Sequence, residues 1–197
     1  MLQELVEEMF GSIEKRLAVY MEGRVYPNEI ATTFNFILYD EFSKQRKGSD
    51  DKIYSLNPVF VGQYFVDPAS PIQTRVFSHH GTEACSPIPI RRGVIGRAVR
   101  TGADQYVPDV TKDSEHVGCD PNMGGSELVL ISWSEPYGQG RYQGKSAPMG
   151  VLDLDFNVKN VLSIEDTARL RRIWDTYGPK IFPGQATFEP KESLSVR

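Results

Sequence analysis

The chain has 197 residues, 40% of them hydrophobic and 24% charged, with 22 Lys and Arg against 26 Asp and Glu. That is one globular domain of ordinary composition, long enough to bury a core without disulfide or metal staples. A net charge of −4 offers no basic surface for a phosphate backbone, which excludes nucleic acid as the main partner.

Apolar residues recur at Leu2, Leu5, Val6, Met9, Phe10, Ile13, Leu17 and Tyr20, the three-and-four spacing of one helix face, and Gly23 ends the pattern. The N-terminus MLQELVEEMF is acidic where a secretory signal is basic, and no apolar run approaches the roughly 18–20 residues of a bilayer span. The expectation is a cytoplasmic protein with no membrane partner, in which two cysteines are more simply free thiols than a structural bridge. Pro27 opens a second helix carrying Ile30, Phe34, Ile37, Leu38 and Phe42 on one side, and KQRKGSDD (44–51) reads as a solvated loop.

The period then changes to that of strands. Runs at 59–66 and 74–78, separated by the turn DPASP, predict a hairpin. A short helix over 93–100, a short strand over 105–107 and two longer strands over 127–133 and 149–156 follow. An antiparallel meander is the economical topology. Ser163, with Asp166 three residues on, resembles a capping box for a last helix that ends near Gly178. Helices at both ends of an antiparallel sheet make an α+β domain.

Two motifs fail on inspection. GQGRYQGKS (138–146) ends in Gly-Lys-Ser, but a phosphate-binding loop needs glycine where Gln139 stands, so it reads as a hairpin loop. His79, His80, Glu83, Cys85, His116 and Cys119 match no zinc spacing, and neighbouring histidines on a strand face opposite ways; the histidines read as surface or turn residues, and no metal is expected.

Chemistry gathers elsewhere. Alternation puts Asp153 and Asp155 on one face of their strand and Leu152 and Leu154 on the other. Cys119 lies in a polar loop, HVGCDPNMGGSE, where an inert core spacer has no reason to be. The segments GTEACSPIPIRRGVIGRAVRTG (81–102), YVPDV (106–110), HVGCDPNMGGSELVL (116–130) and GVLDLD (150–155) follow one another in a distinctive order. Over residues 60–175 this succession resembles a GAF domain, and more narrowly the free methionine-(R)-sulfoxide reductases. Departures from the family pattern are Ile95 where members often carry a third cysteine, Phe60 in place of a tryptophan, an extra residue through Gly124 and Gly125, and an inserted loop from Ser134 to Pro148.

The residue pattern and the resemblance together divide the chain into an N-terminal helical segment (1–50) that packs on or dimerises the domain, a GAF-like domain (51–180) and a C-terminal tail (181–197). The resemblance itself covers only 60–175. It implies an oxidoreductase that uses no cofactor and reduces free methionine-(R)-sulfoxide. Cys119 would attack, Cys85 would close a disulfide on it, and Glu127, Asp153 and Asp155 would supply protons. Phe60, Tyr64 and Asp120 would contact the substrate, although Tyr64 on its own reads first as a core aromatic. A thioredoxin-like dithiol would recycle the disulfide. The chemistry is coherent: a thiolate attacks a sulfoxide sulfur once its oxygen is protonated, and like carboxyls crowded together retain a proton for that purpose. The alternative is a GAF small-molecule sensing module, since fold does not decide function. Such sensors are ordinarily joined to an output domain, and no second domain is read in this chain.

Overall fold

The structure is a computed structural model and describes residues 2–119, 124–133 and 148–183. The glycine-rich motif at 138–146, the bulk of the inserted loop, most of the C-terminal tail and Asp120 lie outside the described residues.

Helices α1 (Leu2–Tyr20) and α2 (Pro27–Ser43) form an antiparallel pair, and proline takes the first position of α2. Strand β1 (Arg46–Lys47) pairs with β2 (Ile53–Tyr54), so the segment 44–51, expected to be wholly loop, supplies the first strand and the turn of a minimal hairpin. Strands β3 (Pro58–Val66), β4 (Gln73–Gly81) and β5 (Ile88–Pro89) precede α3 (Gly93–Thr101). After β6 (Gln105–Val107) and a single 3-10 turn come β7 (Ser126–Trp133), β8 (Pro148–Phe156) and α4 (Ile164–Ile181).

The six-stranded sheet is antiparallel throughout, in the order β5-β4-β3-β8-β7-β6. It is therefore two short meanders joined where β3 pairs with β8, not the single meander expected. The capping box at Ser163 and Asp166 is present, and α4 runs past Gly178 through Pro179. A proline that close to a helix end forfeits one backbone bond, which the terminal turn tolerates.

Strand alternation gives the sheet two different faces. Val61, Leu128, Leu130, Leu152, Leu154 and Phe156 pack into a large core with Phe10 and Ile13 of α1, Phe34 and Phe42 of α2, and Trp174 of α4. The buried carboxylate of Glu41 ties α1 to α2 by accepting from Ser12 at 2.9 Å and Arg16 at 2.6 Å. Asn35 of α2 and Gln63 of β3 pair their buried side-chain amides reciprocally, which satisfies both within this core. The opposite face carries Phe60, Tyr64, Val129, Ile131 and Val151 and is covered by Val94, Ile95, Ala98 and Val99 of α3. Among the described residues no helix is long and apolar enough to cross a membrane.

Candidate active site

The site lies on the α3 side of the sheet, where the strands bring acids into line with the aliphatic residues. Asp155 on β8 stands opposite Phe60 on β3 and Glu127 on β7, and Asp153 stands opposite Gly62 and Val129. All three acids are buried, and their carboxylate oxygens come within 4.8 Å of one another. Gly62 makes room: a Cβ there would lie 2.5 Å from the Phe60 ring, which itself stacks on His79 at 5.4 Å. Oδ1 of Asp153 is buried with no hydrogen-bond partner among the described residues, an orphan that a proton or a ligand would satisfy.

Burial sets the electrostatics. It pushes Asp155 up to about 7, and it drives Glu127 and Asp153 well above the usual carboxylate range. The charge of Asp155 adds to the rise in both, and the guanidinium of Arg97 opposes it at Glu127. Such a cluster keeps protons near neutrality. Burial first, then the three acids, raise the Tyr64 phenol as well, so its hydroxyl remains a hydrogen-bond donor. The spacing of the acids could also hold a hard cation, but retained protons relieve their repulsion without one.

The wall facing these acids is built by α3 and the loop after the 3-10 turn. Gly93 opens α3 at φ 72°, a left-handed conformation suited to glycine, and its N–H donates to the Glu115 carbonyl at 3.0 Å. Arg97 grips Asp113 through two bonds of 3.1 and 2.5 Å, and Arg100 pairs with Glu115 at 2.9 Å. The Asp113 side chain also accepts from the Glu115 N–H at 2.9 Å. The loop thus held carries His116 and Cys119. Cys119 is exposed and Cys85 half-buried, and the two form a disulfide with Cα atoms 5.6 Å apart. Composition alone favoured two free thiols, because cysteine count is blind to two loops converging across a sheet.

Between these walls lies a cavity of about 30 Å³, room for one or two waters, lined by Phe60, Tyr64, His116, Cys119 and the three acids among others. Cys85 does not line it but is bonded to the cysteine that does.

Comparison with solved structures places this architecture. A GAF domain superposes with a TM-score of 0.64 at 23% identity, over 87% of this chain and 84% of that one. The chain has the GAF fold. A second neighbour is fRMsr of Staphylococcus aureus in its reduced form (TM-score 0.67, 23% identity, 87% of this chain and 94% of that one). A third is the type II free methionine-R-sulfoxide reductase of Thermoplasma acidophilum, at TM-score 0.51 and 25% identity over 64% of this chain and 79% of that one. No protein-family profile matches. Among curated proteins, the free methionine-R-sulfoxide reductase of Escherichia coli is 34% identical over 93 residues, 47% of this chain and 50% of that protein. The Saccharomyces cerevisiae protein of the same name is 34% identical over 93 residues, 47% of this chain and 46% of that protein. The chain spans about half the length of the curated relatives it matches.

Within this GAF fold, Phe60, Tyr64, Cys119, Glu127, Asp153 and Asp155 share one cavity, and Asp120 lies outside the described residues. Tyr64 is both: 2% exposed, it packs with the α3 core and lines the cavity. Sequence reading missed His116, taken for a surface or turn residue. Its Nε2 lies 3.6 Å from Oε2 of Glu127, and its side chain is only 13% exposed. The sole sequence signal was its place three positions before Cys119.

Proposed function

We propose that the protein reduces the R-sulfoxide of free methionine to methionine. The observation that carries this reading is the disulfide between Cys85 and Cys119 on the outer side of a cavity backed by three buried, proton-retaining carboxyls. The likeness to proteins named free methionine-R-sulfoxide reductase supports the same chemistry. In the reduced protein, Cys119 as thiolate attacks the sulfoxide sulfur while the carboxyl cluster protonates the oxygen. The sulfur–oxygen bond breaks, the oxygen passes to Cys119 as a sulfenic acid, and methionine leaves reduced by two electrons. The Cys85 thiol then displaces water from the sulfenic acid and forms the disulfide. Phe60 and Tyr64 bound the space for the thioether end of the substrate, and Asp120 adjoins the nucleophile in sequence.

A thioredoxin-like dithiol returns the disulfide to two thiols by exchange, as suits a cytoplasmic enzyme. Val19, Tyr20, Val25 and Tyr26 are exposed at the turn between α1 and α2 and supply an apolar surface for a homodimer. The test is a thiol-coupled assay on the separate R and S sulfoxides of free methionine. Turnover of the R form alone is expected. Free-thiol counts that never change on adding either sulfoxide would leave a sensing module as the better reading.

A further inference from the structure

We propose that His116 is the proton carrier of this site, taking the proton from Cys119 and returning one to Glu127, a role that rests on the reductase reading for its purpose but not for its geometry. His116 and Cys119 stand three residues apart on one anchored loop. Both line the same small cavity, of about 30 Å³. On the other side, Nε2 of His116 approaches Oε2 of Glu127 at 3.6 Å, a gap that a small rotation closes. The imidazole therefore shares one cavity with the exposed thiol and faces the buried acids.

The charged groups around His116 fit a neutral acceptor. Burial lowers its pKa, and Asp113 on its own loop works against that. From β7 it faces Glu127, which itself feels Asp155 of β8 and Arg97 of α3. Asp113 is the ionised one among these acids, because the Arg97 guanidinium it bonds holds it below the usual range. With Glu127 protonated, His116 is uncharged near pH 7 and free to accept a proton. Deprotonation of Cys119 places a negative charge beside it and favours the imidazolium.

The balance closes without an added reagent. The Cys119 thiol gives its proton to the imidazole, Glu127 gives one to the sulfoxide oxygen, and the imidazolium restores Glu127. One proton has moved from sulfur to oxygen, and it remains on the sulfenic hydroxyl after the oxygen is transferred to Cys119.

The experiment uses the full chain with Cys85→Ser, so that Cys119 is the one thiol, and follows its alkylation by iodoacetamide across pH 5–10. Exchanging His116 for Gln is expected to slow alkylation at pH 7 by about tenfold and to move the midpoint upward by about one unit. In otherwise native protein the same change lowers kcat on methionine-(R)-sulfoxide by about 100-fold and removes the acid limb of the pH–rate profile, with KM altered far less. His116→Asn is the second variant, and circular dichroism establishes that each is folded. Glu127→Gln cuts the relay beyond the imidazole, so turnover falls while alkylation remains fast at pH 7. An alkylation profile unchanged by loss of His116 overturns the proposal whatever the sulfoxide assay gives. A slowed profile in a protein inert toward both sulfoxides upholds the pairing of His116 with Cys119 and rejects the reductase reading instead.

Discussion

Glu127 and Asp155 are direct cross-strand partners, one on β7 and one on β8, with their carboxyls buried side by side. Like charges in that relation oppose folding, so the pair exists at the cost of carrying protons.

A pH dependence of stability follows. Asp155 has its folded pKa raised to about 7, above an unfolded value of about 4. Between those values the native state binds more protons than the unfolded one, so this contribution is fully present below about pH 4 and is lost as the pH rises through about 7. Asp155→Asn should therefore raise stability at pH 8 by about 2–4 kcal/mol and leave it nearly unchanged at pH 4, while lowering sulfoxide reduction. Denaturant unfolding at the two pH values measures this. Equal gains at both would show that the carboxyl is not proton-bound in the native protein.

Cys119→Ser is expected to abolish turnover, a loss of about 1,000-fold or more, because a hydroxyl is a far weaker nucleophile than a thiol at neutral pH. The fold should persist, since the side chain is exposed. Substantial reductase activity in this variant would remove Cys119 from the attacking role.

Cys85→Ser leaves a nucleophile with no partner. One methionine per chain should be released, with mass spectrometry finding one added oxygen on Cys119. Cycling on a dithiol protein should slow sharply, and a small thiol should restore it by attacking the sulfenic acid. Undiminished cycling on the dithiol protein would reduce Cys85 to a structural residue.

Gly96 packs α3 against the chain entering it, where a Cβ would lie 2.5 Å from the Ile90 carbonyl oxygen. The obstacle is backbone and cannot rotate away. Gly96→Ala should cost about 1–3 kcal/mol and, by tilting α3, loosen the hold of Arg97 on the Cys119 loop. A melting temperature equal to that of the native protein would show that the helix shifts freely.

Asp153 and Asp155 were legible because a strand leaves a period-two mark, acids on one side and Leu152 and Leu154 on the other. The helices were legible for the same reason at their own period. The union of β3 with β8 left no such trace: it joins segments some ninety residues apart, and only the folded chain reveals which strand edges meet. The hairpin of β1 and β2 is too short for any period to register. His116 sits in an aperiodic loop whose course depends on Arg97 and Arg100 reaching from α3, so its direction was not written locally.

The small volume behind the closed disulfide has a kinetic meaning. With Cys85 and Cys119 joined, the space of about 30 Å³ behind them is smaller than an amino acid needs. If the protein is the reductase proposed, sulfoxide and reductant are expected to address different forms of it and not to compete for one. On that reading product departs before or as the bond closes, and the expected kinetics are ping-pong: parallel double-reciprocal lines, with no inhibition of the reductive half by excess sulfoxide or accumulated methionine.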